Sequence, residues 1–234
     1  MQKSLIKFRG RSLVIYTRDE ADKSVVAEIF KLEEYRICAA VIEKAKFAIA
    51  DVGAHAGFFT LYAKAINPAV EVAALEPEAN NLIFLKKHLN ENNISGVRIV
   101  AGALARASGE GVLKLSPDSH NHELLLSKRG KLNEGEIPVK VYSLADLIKF
   151  SQSGKLALIK MDIEGGEYEV FAGATPEDFG NIGAIIMEYH NYGQNNYEWI
   201  ERKMREHGFG VRIFPSKFDK RMGFLWAVNK RVKF

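Results

Sequence analysis

The segment that most constrains the fold is a glycine-containing turn, Asp51-Val52-Gly53-Ala54-His55-Ala56-Gly57. The apolar run 47–50 before it predicts a short buried strand, and residues 58–66 after it have a helical pattern that ends before an Asn-Pro pair. A strand, a glycine turn and a helix in this order direct backbone N–H groups at a ligand near the helix N-terminus. We therefore expect the nucleotide-binding start of a doubly wound α/β domain, although a tight strand-to-helix corner without a ligand would use the same glycines.

Two acidic residues at the predicted strand ends indicate which ligand binds. Asp51 follows the first strand, and Glu76 follows the second, at 70–75, directly before Pro77. A carboxylate in the position of Glu76 accepts hydrogen bonds from a ribose diol, and Asp51 favours a cationic ligand over a pyrophosphate. The turn also has Gly-x-x-x-Gly instead of the dinucleotide pattern Gly-x-Gly-x-x-Gly. These features indicate S-adenosylmethionine and argue against a NAD-dependent oxidoreductase.

Composition is that of a globular protein with one large domain. The chain has 234 residues, of which 47% are hydrophobic and 26% charged, as is typical of a folded enzyme. Its net charge of +4 permits an anionic substrate without requiring one. The single cysteine, Cys38, excludes an intramolecular disulfide. Because we find neither the apolar run of a signal peptide nor a stretch of membrane-spanning length, we expect a cytoplasmic location.

The order of the patterns predicts how the chain is organised. Residues 1–44 form an extension with a strand and a helix that packs on the core, and residues 45–234 form the main domain. The segment at about 105–155 is longer than an ordinary crossover. We interpret it as an insertion that covers the substrate, and we predict strands at 112–115 and 139–142 in it and a polar loop at 116–122.

The sequence pattern in the second half of the main domain predicts the remaining strands of the sheet. After a third strand, the small residues Gly102 and Ala103 lie where an adenine ring would bind in such a fold. The third strand is predicted at 97–101, and further strands are predicted at 156–162, 182–189, 209–214 and 224–228. The last two flank a long basic turn, which predicts an antiparallel hairpin at the edge of a mostly parallel sheet.

Four segments share their pattern with a known family. They are Asp51-Val52-Gly53-Ala54 with Gly57 and Thr60, Leu75-Glu76-Pro77, Lys160-Met161-Asp162-Ile163-Glu164-Gly165-Gly166-Glu167 and Met187-Glu188-Tyr189-His190. Together they resemble the FkbM family of S-adenosylmethionine-dependent methyltransferases over about residues 21–190. His55 departs from the family, in which asparagine is usual at that position.

The resemblance implies a fold, a reaction and a set of binding residues. The fold is the class I methyltransferase fold, a Rossmann-like doubly wound sheet, and the reaction is methylation of a hydroxyl on a sugar, a glycolipid or another small-molecule acceptor. Together with the acidic strand ends, it gives these expected cofactor-binding residues: Asp51, Gly53, Ala54, His55, Gly57, Thr60, Glu76, Pro77, Gly102, Ala103 and Asp162.

Four polar residues at the ends of the fourth and fifth strands are the candidates for catalysis. An alcohol acceptor is a poor nucleophile at neutral pH, so a base that takes its proton assists methyl transfer. Asp162 is the first candidate for this base or for orienting the acceptor, and the alternates are Glu164, Glu188 and His190. This oxygen-rich set would also suit Mg²⁺ or Mn²⁺, but we predict no metal. Lys160 is expected to form a structural ion pair with one of the carboxylates.

Two other functions compete with a small-molecule methyltransferase. The basic C-terminal segment and the Asp–Lys–Glu residues would also fit methylation of an RNA ribose 2′-hydroxyl, although we find no RNA-binding motif. A non-catalytic module that binds the cofactor would share the same turn. Loss of transfer in an Asp162→Asn variant that still binds the cofactor would argue against that module.

Overall fold

The computed structural model describes residues 1–115, 123–125, 132–193 and 195–232. The polar loop predicted at 116–122 lies outside the described residues. The N-terminal segment contains a hairpin followed by helices: β1 (Gln2–Phe8), β2 (Arg11–Thr17), α1 (Glu20–Phe30), a 3₁₀ helix (Glu34–Cys38) and α2 (Ala39–Lys44). We predicted one strand here, and the structure has two, joined at Arg9 and Gly10, which both have a positive φ.

The rest of the described chain contains the central strands and the helices that connect many of them. The strands are β3 (Ala48–Val52), β4 (Val72–Glu76), β5 (Val97–Ala101), β6 (Ala103–Leu104), β7 (Gly109–Lys114), β8 (Glu123–Leu125), β9 (Glu136–Tyr142), β10 (Leu156–Met161), β11 (Ile182–His190), β12 (Phe209–Pro215) and β13 (Met222–Asn229). The helices are α3 (Phe58–Ile66), α4 (Ala79–Glu91), α5 (Leu144–Lys149), α6 (Glu167–Gly173), α7 (Pro176–Gly180) and α8 (Tyr197–Glu206).

Seven strands form the central sheet in the order β12-β13-β11-β10-β3-β4-β5. The five strands from β11 to β5 are parallel to their neighbours, whereas β13 is antiparallel to both β11 and β12. Every residue of β3, β4 and β10 is buried because helices cover both faces of a parallel sheet. The predicted doubly wound, mostly parallel sheet with a C-terminal antiparallel hairpin is confirmed.

Each face of the sheet has its own apolar core. One core joins the sheet to α5, α6, α7 and α8, with Phe171 and Phe179 at its centre. The other joins it to α3 and to the N-terminal helices through Tyr35, Phe58 and Tyr62. The N-terminal segment therefore shares a core with the helix that follows the glycine turn.

The insertion contributes to a second, smaller sheet in the order β6-β9-β7-β8. Strands β7 and β9 correspond to the two that we predicted in this segment, whereas β6 and β8 were not predicted, being only two and three residues long. This sheet lies at the carboxyl end of β5, beside the point where the central sheet reverses its winding between β3 and β10. Ligands bind at such a reversal in open α/β sheets. Among the described residues, we find no helix long and apolar enough to cross a membrane.

Candidate active site

The glycine turn between β3 and α3 is held in place by close packing. Gly53 has φ +70°, and a Cβ atom at this position would overlap the backbone carbonyl oxygen of Asp162. Gly57 has φ +86° and precedes α3, where a Cβ would lie 3.0 Å from Cγ of Leu85. Since L-residues with side chains rarely adopt this region, Gly53 lets the turn approach the end of β10 and Gly57 lets it pack against α4.

A buried ion pair lies directly behind the turn. The Asp51 carboxylate accepts a hydrogen bond from Thr60 Oγ1 at 2.6 Å, and its Oδ1 lies 3.6 Å from Nζ of Lys160. Lys160 Nζ also donates to the carbonyl oxygen of Gly53 at 2.8 Å and lies 4.0 Å from Asp162. Burial raises the pKa of Asp51, and Lys160 and Thr60 only partly offset this effect. Lys160 thus links β3, the turn and the end of β10.

Glu76 joins the second strand to the turn. Its Oε2 accepts the backbone N–H of His55 at 2.8 Å, and its Oε1 accepts bonds from Glu78 N at 2.9 Å and Asn81 Nδ2 at 3.2 Å. Burial raises the pKa of Glu76, and these three donors counteract it. His55 has φ +51°, a region in which asparagine and histidine are enriched over most side chains. This geometry explains how histidine replaces the family's usual asparagine.

The N-terminal segment supports His55 from the other side. An Arg18 guanidinium nitrogen lies 2.6 Å from His55 Nε2, and the same group pairs with Asp22 at 2.8 Å and donates to Asn81 at 2.7 Å. The carboxylate of Asp22 is fully buried. Sequence reasoning missed Arg18 and Asp22, because their distance from the turn along the chain gives no local signal.

A cleft with about 740 Å³ of empty space, its open mouth included, runs along these strand ends. The predicted residues that line it are Gly53, His55, Glu76, Pro77, Gly102, Ala103, Asp162 and Glu164. The predicted residues that do not line it are Asp51, Ala54, Gly57, Thr60, Glu188 and His190. Asp51 and Thr60 are buried against each other behind the turn, because the Asp51 side chain points to α3. Leu113 and Leu124 of the smaller sheet form part of the wall.

Carboxylates and a histidine cluster at the ends of β10 and β11. Asp162, Glu188 and His190 each place a nitrogen or oxygen atom within 4.8 Å of the others. His190 Nε2 lies 3.4 Å from Oε2 of Glu164, and its Nδ1 lies 3.7 Å from Oε1 of Glu167. The four predicted catalytic candidates therefore lie together, and Glu167 joins them as a fully buried neighbour.

Comparison with known proteins shows to which family this site belongs. Residues 51–211 match the methyltransferase FkbM domain. The chain belongs to the FkbM methyltransferase family. It is 25% identical over 189 residues to 31-O-demethyl-FK506 methyltransferase FkbM of Streptomyces tacrolimicus, a match that covers 69% of this chain and 72% of that protein. It is 24% identical to Methyltransferase 1 of Beauveria bassiana over 70% of this chain and 73% of the relative.

Solved structures identify the fold class of this FkbM-family methyltransferase. Magnesium protoporphyrin IX methyltransferase from Synechocystis, solved with bound S-adenosylmethionine, superposes with a TM-score of 0.54 at 10% identity. The match covers 92% of this chain and 86% of that one. The fold is thus the class I methyltransferase fold, and the family match over residues 51–211 shows that the chain is a methyltransferase.

Burial and mutual repulsion set the proton affinities of the methyltransferase's acidic cluster. Burial and the nearby Asp162 raise the pKa of Glu188 to about 8 and that of Glu164 to about 7. Burial alone would lower the pKa of His190, but the surrounding carboxylates, Glu167 first, raise it to about 9. At neutral pH His190 is therefore a cation beside groups that hold or share protons.

Tyr35 is a second neighbour of the cluster that sequence reasoning missed. Burial and the charges of Asp162 and Glu188 raise its pKa well above the ordinary tyrosine value. Its ring packs on Phe59 and Phe224 at centroid distances of 5.1 and 5.6 Å. The 3₁₀ helix of the N-terminal segment thus forms one side of the site. Glu167, in contrast, had a signal, because it ends the specific Lys-x-Asp-x-Glu-Gly-x-Glu block.

Proposed function

We propose that this protein transfers the methyl group of S-adenosylmethionine to a hydroxyl oxygen of a small-molecule acceptor. The observation that carries the proposal is the cleft itself, which has Glu76 at one end and the carboxylates of Asp162 and Glu164 at the other. A cofactor with a ribose diol at one end and a cationic sulfonium and ammonium at the other matches this distribution of charge.

The residues of the cleft fit an adenosine group. Oε2 of Glu76 accepts the His55 N–H, and because a carboxylate oxygen can accept two hydrogen bonds, it can also accept one from a ribose hydroxyl. Gly102 and Ala103 have no bulk beyond a methyl group, and Leu104 and Leu113 supply apolar surface beside them. A flat purine fits between small and apolar residues of this kind.

The other end of the cleft would orient the two reactants. When bound, S-adenosylmethionine supplies an electrophilic methyl group, so the protein mainly aligns the acceptor oxygen and takes its proton. Asp162 lines the cleft and lies within reach of Glu188 and His190. We assign Asp162 the role of base or orienting group, and Glu188, Glu164 and His190 surround it with groups that hold or share protons. Lys160 and Asp51 hold the strand ends in place.

Two observations favour a small-molecule acceptor over RNA. The relative from Streptomyces is named a 31-O-demethyl-FK506 methyltransferase, a name that specifies an O-methyl position and no RNA. The basic C-terminal residues are divided: Lys217, Lys220 and Arg221 lie in the turn before β13, whereas Lys230 and Arg231 follow its far end. A divided set of this kind does not form one continuous surface for a polyanion.

The first test is calorimetric titration with S-adenosylmethionine, S-adenosylhomocysteine and NAD. We expect both sulfur compounds to bind and NAD not to bind. Glu76→Gln should weaken binding of both by about tenfold, because it loses a charge-assisted bond to the ribose. Glu206→Gln, on an exposed residue of α8, is the matched control and should not change affinity. Absence of binding to either sulfur compound would refute the cofactor assignment.

The second test measures methyl transfer. Wild-type protein is incubated with radiolabelled S-adenosylmethionine and panels of glycosides, macrolide alcohols and total RNA, the last with and without ribonuclease. We expect label in a small alcohol, and Asp162→Asn should abolish this transfer even at S-adenosylmethionine concentrations that saturate the variant, because it loses the proposed base as well as one carboxylate at the cationic end of the cofactor. Treatment with EDTA should leave the rate unchanged if our prediction of no metal is correct. Nuclease-sensitive labelling of RNA would favour the alternative function.

A further inference from the structure

A second cavity lies on the opposite side of the carboxylate cluster. This acceptor groove, with about 1180 Å³ of empty space including its open mouth, lies between the N-terminal helices and the turn that joins β12 to β13. Glu28 of α1 and Glu34 of the 3₁₀ helix line one wall, and Phe214 and Phe218 line the other. Glu188 of β11 lies at its floor.

Glu188 connects the acceptor groove to the cofactor cleft. It lines the groove, whereas Asp162 lines the cleft, and the two carboxylates lie within 4.8 Å of each other. A methyl acceptor in the groove could therefore reach the proposed base while the cofactor occupies the cleft. Two cavities that meet at the catalytic candidates are the arrangement that transfer between two ligands requires.

The charges that face the acceptor groove are mostly negative. Glu28, Glu34 and Glu188 line it, and Lys217 is the one basic side chain among its described lining residues. Burial and Glu28 raise the pKa of Glu34, and Glu28 also contributes to the raised pKa of Glu188. The carboxylates of Glu28 and Glu34 thus repel each other, and a cation bound between them would relieve that repulsion.

The rest of the acceptor groove offers aromatic surface. Phe224 pairs in register with Glu188 on one side and with Phe214 on the other, so this surface extends from the floor to the wall. Phe218 is fully exposed at the rim, and Phe214 is 40% exposed. Exposed aromatic rings beside carboxylates are suited to a ligand with an apolar face and polar groups at its edge.

We propose that the acceptor groove binds the methyl acceptor and selects one that carries a protonated amine near the hydroxyl to be methylated, as an amino sugar does. The amine lies between Glu28 and Glu34, the carbon skeleton stacks on Phe214 and Phe218, and the hydroxyl points to Glu188. This assignment depends on the proposed methyl transfer for the identity of the ligand, but the groove's preference for a cation can be measured by itself.

The test is calorimetric titration with three matched probes at pH 7: the 4-nitrophenyl β-glycosides of glucosamine, glucose and glucuronic acid. Each is titrated into protein saturated with S-adenosylhomocysteine and into protein alone. The glucosaminide should bind about tenfold more tightly than the glucoside, the value of one charge-assisted hydrogen bond. The glucuronide should bind most weakly because its carboxylate faces those of Glu28 and Glu34.

Three variants locate the binding. Glu34→Gln should reduce glucosaminide affinity to that of the glucoside without changing the glucoside. Glu43→Gln, on an exposed residue of α2 away from the groove, is the control and should have no effect. Phe218→Ala should weaken both glycosides, and because this side chain is fully exposed, folding should be unaffected.

Three kinds of result would overturn the proposal. Equal affinity for the glucosaminide and the glucoside, or no binding of either, would show that the groove does not select an amine. Tightest binding of the glucuronide would assign the groove to an anion held by Lys217. A glucosaminide preference that Glu34→Gln does not change would place the cation elsewhere. Failure of S-adenosylhomocysteine to bind would refute the proposed function separately, since the glycosides are also titrated into protein alone.

Discussion

Replacing Lys160 by methionine leaves the buried carboxylate of Asp51 without its ammonium partner. Asp51 is fully buried and Lys160 is 5% exposed, and their charged atoms lie 3.6 Å apart. At an effective dielectric constant of about 20, this separation corresponds to an attraction of about 5 kcal/mol. Asp51 can relieve part of the loss by taking up a proton, since burial already raises its pKa. We expect the free energy of unfolding to fall by about 3–5 kcal/mol.

Urea denaturation at pH 7, followed by circular dichroism, measures this change. Lys149→Met is the matched control, because Lys149 lies 3.1 Å from Asp146 but its side chain is 73% exposed. An exposed pair of this kind contributes at most about 1 kcal/mol. The double variant Asp51→Asn, Lys160→Met removes both charges and should be more stable than Lys160→Met alone. A loss in Lys160→Met no larger than in Lys149→Met would refute the conclusion that this ion pair holds the turn together.

Three further predictions concern backbone geometry, proton affinity and burial. Gly53→Ala should lose cofactor binding and destabilise the protein by more than Gly154→Ala, which has φ +64° in open space and should cost about 1–2 kcal/mol in urea denaturation. The folded-state pKa of Glu188 is about 8, above the ordinary 4.5, so its contribution to stability is present below pH 4.5 and is lost as the pH rises through 8. Urea denaturation at pH 5, 7 and 9 should show that the free energy of unfolding falls less steeply with pH for Glu188→Gln than for the wild-type protein. An equal slope in the two proteins would contradict this. Cys38 is fully buried with a pKa raised to about 12, so mass spectrometry should detect alkylation by iodoacetamide at pH 8 in urea but not in the native protein.

The N-terminal hairpin has a local sequence signal for both of its strands. Strand β1 alternates Ser4, Ile6 and Phe8 on its more buried face, and Arg9 and Gly10 form the two-residue turn typical of a hairpin. We predicted only the strand that corresponds to β2, from the apolar run 13–16. An alternation of period two was sufficient to predict both strands.

The smaller sheet, in contrast, has two strands that no local sequence pattern predicts. Strands β6 and β8 span two and three residues, which is too short for a periodic pattern to indicate a strand. They form because β9 pairs with β6 on one side and with β7 on the other, and β7 in turn pairs with β8. Leu124 of β8 lines the cleft, and its place there therefore depends on pairing partners distant in sequence.

The sequence by itself determined the sheet and the location of the site. Asp51, Glu76, Asp162 and Glu188 each lie at or directly after the carboxyl end of a parallel strand, and such ends converge at one edge of a sheet whatever the side chains pack against. Only the tertiary structure decided which neighbours each of these side chains contacts. Asp51 turns behind the cleft to Lys160, and Glu188 faces a groove whose other wall comes from the N-terminal helices. Side-chain direction, burial and proton affinity depend on neighbours that lie far away along the chain, and no local pattern specifies those neighbours.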